Sequence, residues 1–67
     1  MRQSGAPADE GIIVELLQNG AYVKATAIDP RTGIEATIVG AASSPPALLR
    51  NAAAKKLKYV LAKQKNL

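Results

Sequence analysis

The sequence predicts an α+β domain: a three-stranded antiparallel meander, order 1-2-3, with one C-terminal helix packed on one face (βββα). Three observations predict this fold. Apolar residues alternate with polar ones over residues 11–39, turn residues interrupt the alternation twice, and Pro46–Lys65 carries the apolar spacing of an amphipathic helix. We therefore expect strands over residues 11–17, 21–28 and 34–39.

The first turn is predicted at Asn19-Gly20. Asn-Gly is a strong hairpin signal because both central residues of a type I′ turn need positive φ. If these two residues form the loop, opposite charges meet on one face of the hairpin and aliphatic side chains meet on the other. The predicted pairs are Leu17 with Tyr22, Leu16 with Val23, Glu15 with Lys24, Val14 with Ala25 and Ile13 with Thr26.

The second turn is predicted at Asp29-Pro30-Arg31-Thr32-Gly33. Aspartate accepts hydrogen bonds from the backbone ahead of it, proline presets φ, and glycine adopts the left-handed conformation. A type I turn closed by a bulge at Gly33 keeps the apolar faces of the second and third strands in phase. The predicted pairs are Ile28 with Glu35, Ala27 with Ala36 and Ala25 with Ile38.

These registers give the sheet two different faces. The face that we expect the helix to cover contains Ile12, Val14, Leu16, Val23, Ala25, Ala27, Ile34, Ala36 and Ile38. The opposite face mixes polar residues with aliphatic ones, and its apolar members form a candidate partner surface: Ile13, Leu17, Tyr22, Ile28 and Val39. Glu15, Lys24 and Glu35 lie among them and would orient a partner.

A loop of small residues is expected at 40–44, and Pro46 suits the first position of a helix. The helix then repeats apolar residues at three- and four-residue steps. This stripe consists of Leu49, Ala53, Leu57, Val60 and Leu61.

Residues 1–10 are polar and charged without apolar periodicity, so we expect a disordered N-terminal tail before a single domain at 11–65. The sequence contains no cysteine, which favours a reducing compartment. No segment approaches the roughly 20 apolar residues of a membrane span. These features favour a cytoplasmic protein with no membrane association.

Enzymatic chemistry is not expected. The chain contains neither histidine nor cysteine, the residues that most often serve as general base, nucleophile or metal ligand. Glu15 and Glu35 are predicted to flank Lys24, which is more typical of a surface charge ladder than of a catalytic pair. We expect no catalytic residue, no metal, no cofactor and no small-molecule substrate.

Charge divides the chain at Gly40. Residues 1–39 carry three basic and five acidic groups (net −2), whereas residues 40–67 carry six basic groups and no acid (net +6). A helix of one sign can attract phosphate or an acidic partner, although lysine also commonly solubilises an exposed helix. The candidate nucleic-acid contacts are Arg50, Lys55, Lys56 and Lys58.

The segment GAASSPPALLRNAAAKKLKYVLAK resembles the end of a double-stranded RNA-binding domain, whose small-residue loop precedes a helix with paired alanines and a leucine. The matching positions are Gly40, Ser44, Ala52, Ala53 and Leu57. The lysines that would hold phosphates fall on Pro45 and Pro46, and a third basic position falls on Leu49. The resemblance implies a related shape without the phosphate-binding residues.

The run YVKATAIDPRTGIEATIVG and the later pattern AxxKLxYVL are similar to a family of short uncharacterised bacterial proteins, mostly alphaproteobacterial. The strongest matches are Asp29, Gly33, Gly40 and the KLxYVL helix. The resemblance implies a cytoplasmic βββα domain and transfers no catalytic or ligand-binding residue.

The sequence therefore favours a non-enzymatic module that binds a protein or a second copy of itself through the uncovered sheet face. The alternative is a nucleic-acid accessory protein that binds RNA weakly through its basic helix.

Overall fold

A computed structural model describes residues 11–65, which form three strands and one helix. The strands are β1 (Ile13–Asn19), β2 (Tyr22–Ile28) and β3 (Glu35–Ala41), and they form one antiparallel sheet in the order β1-β2-β3. Helix α1 (Pro46–Lys65) follows and begins at the predicted proline. The βββα fold is thus confirmed. The tail predicted for residues 1–10 lies outside the described residues.

The first hairpin differs from the predicted one by a shift of two residues. Asn19 pairs with Tyr22, so the loop is Gly20-Ala21 instead of Asn19-Gly20. Gly20 occupies the first central position with φ 63°, and a loop that starts with glycine places positive φ on the residue that adopts it without a steric cost. The Gln18 side chain donates a hydrogen bond to the Gly20 carbonyl (3.1 Å).

This shift changes the partners of β1 without changing its faces, because side chains alternate with a period of two. The predicted pairs of the first hairpin are therefore wrong. The observed pairs are Ile13 with Ile28, Val14 with Ala27, Glu15 with Thr26, Leu16 with Ala25, Leu17 with Lys24 and Gln18 with Val23.

The second turn is confirmed, and its hydrogen bonds converge on Asp29. The Asp29 carbonyl accepts from the amides of Thr32 (3.2 Å) and Gly33 (2.7 Å). Its buried carboxylate accepts from the Arg31 amide (3.1 Å) and the Thr32 hydroxyl (3.2 Å). Gly33 is left-handed, with φ 77°, and Ile28 pairs with Glu35 as predicted.

The core lies between the predicted sheet face and the helix. Three of its alanines, Ala25, Ala27 and Ala53, are fully buried, as is Leu57. Alanines on both surfaces let the helix backbone approach the sheet closely. The buried residues are Ile12, Val14, Leu16, Val23, Ala25, Ala27, Ala36, Leu49, Ala53, Ala54 and Leu57, with Ile34, Ile38, Val60 and Leu61 packed against them.

The end of β3 departs from prediction. The strand continues through Gly40 to Ala41, where a loop was expected, and the Ala42 amide donates to the Ala21 carbonyl (2.8 Å). Gly40 pairs with Val23, and a Cβ built on it would lie 2.5 Å from Leu49 Cδ2. The glycine therefore lets the first turns of the helix pack on the end of the sheet.

Candidate interaction surface

The face of the sheet opposite the helix, hereafter the open face, is built from four cross-strand rows. Each row takes one residue from each strand, because the two registers align the strands over their full length. The rows are Ile13–Ile28–Glu35, Glu15–Thr26–Thr37, Leu17–Lys24–Val39 and Asn19–Tyr22–Ala41.

Large apolar side chains on the open face are exposed to solvent. Tyr22 is 64% exposed, Val39 63%, Leu17 53% and Ile13 37%, whereas Ile28 is half-buried. Leu17 and Val39 lie in one row on either side of Lys24, and Tyr22 lies diagonally from both. The structure thus brings the five predicted partner-face residues onto one surface, with the most exposed of them near the Gly20 turn.

The predicted charge ladder is wrong. Glu15 lies opposite Thr26 and Glu35 lies opposite Ile28, while Lys24 is flanked by Leu17 and Val39. The two-residue shift of the first hairpin places Thr26 instead of Lys24 opposite Glu15, whereas the second register had already placed Glu35 opposite Ile28. In the row with Glu15, the hydroxyls of Thr26 and Thr37 are 3.2 Å apart, within hydrogen-bonding distance.

The candidate nucleic-acid contacts lie on the helix. Lys55, Lys56 and Lys58 are exposed and Arg50 is half-buried. Lys56 has a structural partner, because its Nζ donates to the Thr37 carbonyl of β3 (2.8 Å).

Farther along the helix, the Lys63 ammonium lies 5.5 Å from the centre of the Tyr59 ring, which places a cation over an aromatic face.

Sequence reasoning missed the bond between Lys56 and Thr37. The sequence indicates Lys56 only as a candidate nucleic-acid contact, and nothing in the local pattern relates it to a strand 19 residues earlier. The only available signal was its position next to Leu57, which places its long side chain near the sheet margin.

Open concavities flank the helix, and two of them lie between the helix and the sheet or its turns. One lies near the helix N-terminus and is lined mainly by Leu16, Val23 and Leu49. The other lies between the second turn and the last turns of the helix, near Ile34 and Leu61, and its one acid is Asp29, whose carboxylate already serves the turn. Within residues 11–65, no three histidine, cysteine, aspartate or glutamate residues cluster in a way that could hold a metal ion.

No helix in the described part of the chain is both long enough and apolar enough to cross a membrane.

Residues 9–64 match a domain of unknown function (DUF6898). The chain belongs to this family. The match spans all three strands and nearly all of the helix, so the family domain is the βββα unit described above. The predicted bacterial origin and the resemblance to a double-stranded RNA-binding domain stay predictions.

No curated protein matches the chain, and no solved structure matches it.

Proposed function

We propose that this DUF6898 domain is a non-enzymatic interaction module that binds protein through its open face. The observation that carries the proposal is the exposure of Leu17, Tyr22 and Val39 as neighbours on one sheet surface. Within residues 11–65, the single helix covers only one side of the three-stranded sheet, and the second side is available to a partner.

Burial of this surface would be favourable. Apolar area removed from water contributes about 25 cal/mol per Å², and contiguous exposed apolar patches are typical of interaction sites. Tyr22 is the best anchor, because tyrosine combines a large apolar ring with a polar hydroxyl and is enriched among residues that dominate binding energy.

Charged residues give the open face an orientation. Lys24 lies within the apolar row, Glu15 lies in the adjacent row, and Glu35 lies in the row at the far end of the sheet. A partner must match this separation of positive and negative charge, since an unmatched charge in a closed interface is costly. The proposed partner therefore presents an apolar patch with an acidic group placed to meet Lys24.

The proposed location is the cytoplasm. The absence of cysteine from the sequence fits a reducing compartment.

The proposal is tested by Tyr22→Glu/Val39→Glu, which places two charges on the open face and leaves β1 unchanged. Leu48 and Tyr59 on the helix are 59% and 63% exposed, so Leu48→Glu/Tyr59→Glu is a control of matched exposure and residue type. Affinity capture from lysate of the source cells is compared for the wild type and both variants, after circular dichroism has shown that each is folded.

We expect the open-face variant to lose proteins that the wild type and the helix variant both retain. If both variants capture the same proteins as the wild type, or if the helix variant alone loses them, the open face is not the binding surface.

A second candidate function is weak nucleic-acid binding through the helix. The observation in its favour is that α1 contains no acidic residue, while Lys55, Lys56 and Lys58 are exposed along it. Against it, the Lys56 ammonium already has a partner on β3. Its test is the salt dependence of binding, because contacts to phosphate weaken steeply as salt increases.

A further inference from the structure

The two outer strands of the sheet present different backbone groups. The Asp29 amide donates to the Ile34 carbonyl, and the Ala42 amide donates to the Ala21 carbonyl. Backbone groups alternate in direction along a strand, so the odd-numbered residues of β2 point toward β3 and its even-numbered residues point toward β1. It follows that the backbone groups of the odd-numbered residues of β1 point toward β2. The N–H and C=O groups of Val14, Leu16 and Gln18 point outward, away from the sheet.

The outer edge of β3 is protected against pairing. The same alternation directs the backbone groups of Thr37 and Val39 outward, and the Thr37 carbonyl accepts a hydrogen bond from Lys56 Nζ (2.8 Å). The helix also contacts β3 more extensively than β1. A lysine across an edge strand is a common means of preventing edge-to-edge association.

Within residues 11–65, the outer edge of β1 lacks such protection. Its seven residues include no proline, glycine or lysine, and its only charge is Glu15. Within residues 11–65, β1 is the first strand of the sheet, with no strand beyond it. A regular strand of this length with unprotected outward groups is a template for another strand.

We propose that this edge pairs with β1 of a second copy of the chain, antiparallel across a two-fold axis at Leu16. Strand β1 is complementary to itself in this register. The outward groups of Val14, Leu16 and Gln18 are symmetric about Leu16 and meet those of the partner's Gln18, Leu16 and Val14, so all seven residues are paired.

The charges of β1 favour the same register. Glu15 lies opposite the partner's Leu17, so that the two glutamates are not directly paired. On the helix side of the sheet, the partner's Val14 comes beside Gln18, at the margin of the concavity lined by Leu16, Val23 and Leu49.

The result is a six-stranded sheet with both helices on one side and both open faces joined on the other. This pairing does not depend on the open face binding anything, since it uses only the edge of β1. A homodimer of this form would present two copies of the open face side by side.

Sedimentation and residue-resolved amide hydrogen exchange on the full chain test the proposal. We expect the mass to rise from monomer to dimer with concentration. Exchange at the amides of Val14, Leu16 and Gln18 should slow over the same range, whereas exchange at Thr37 and Val39 should not change. A protein that is monomeric at every concentration overturns the proposal, as does a dimer in which exchange at the three β1 amides is unchanged.

Slow exchange at these three amides in a strictly monomeric protein would mean that another segment of the same chain pairs with the outer edge of β1. This result would also overturn the proposal.

Backbone N-methylation of Leu16, introduced by chemical synthesis, removes one outward donor and keeps the buried side chain. We expect this change to abolish the dimer, and N-methylation of Val39, on the protected edge, to leave it intact. Tyr22→Glu/Val39→Glu should also leave it intact, which separates this interface from the open face. A folded N-methyl-Leu16 protein that dimerises as well as its parent contradicts the proposed register.

Discussion

At the scale of the residue, Gly40 is a position at which helix packing depends on the absence of a side chain. It lies within β3, where a valine would normally favour the strand. Strand propensity and steric contact therefore predict opposite effects of a substitution here. The contact should win, because Leu49 is buried and a Cβ on Gly40 would lie 2.5 Å from its Cδ2.

We predict that Gly40→Val lowers the free energy of unfolding by about 1–3 kcal/mol through overpacking. Ala41→Val is the matched control, because Ala41 is the next residue of the strand and is exposed; it should be neutral or stabilising. Denaturant unfolding of both variants measures the difference. A second substitution, Leu49→Ala, should reduce the additional cost of Gly40→Val, and strict additivity of the two changes would contradict the proposed contact.

At the scale of the element, helix α1 is held by one apolar stripe on an otherwise basic surface. Leu57 and Ala53, which belong to this stripe, are fully buried, and Lys55 is exposed on another side. Because most of the stability of a helix in a protein comes from tertiary packing of its apolar face, the stripe and not intrinsic propensity keeps the helix folded on the sheet.

Leu57→Ala should therefore cost about 2–5 kcal/mol of stability, from lost burial and the cavity left behind. That is a large part of the total stability of a small domain. Lys55→Ala, two residues away, is the control and should change the melting temperature little. Thermal unfolding followed by circular dichroism measures both, and equal losses would mean that the helix is rotated from its described position.

At the scale of the whole molecule, charge separates the sheet half from the helix half. Basic groups lie on several sides of the helix, and Lys56 is engaged with β3, so they do not form one stripe that could follow a phosphate backbone. Attraction of phosphate would then be diffuse, with little preference for a nucleotide sequence.

We predict weak binding of labelled duplex RNA and DNA at low salt and its loss at physiological salt, because counterion release supplies the affinity. Lys55→Ala/Lys58→Ala should weaken this binding more than the control Lys24→Ala/Arg31→Ala, which removes the same charge from the sheet half. Fluorescence anisotropy at two salt concentrations measures it. Tight binding that survives physiological salt and prefers one duplex would place nucleic acid ahead of protein as the partner.

The sequence predicted which residues lie on the open face, but it did not predict which of them are cross-strand neighbours. Alternation along the strands places Leu17, Tyr22 and Val39 on the face opposite the helix, and that assignment survives any shift of pairing by two residues. The neighbours of each residue do not survive such a shift. For this reason the predicted pairing of Glu15 with Lys24 was wrong, although both residues were on the correct face.

The sequence by itself determined the order of the elements, the two faces of the sheet, the start of the helix at Pro46 and the second turn at Asp29 and Gly33. Each depends on local backbone preference or on the period of the apolar pattern. The tertiary structure decided the first register, the contact between Gly40 and Leu49 and the bond between Lys56 and Thr37. These join distant parts of the chain, and their geometry is set only when the helix packs on the sheet.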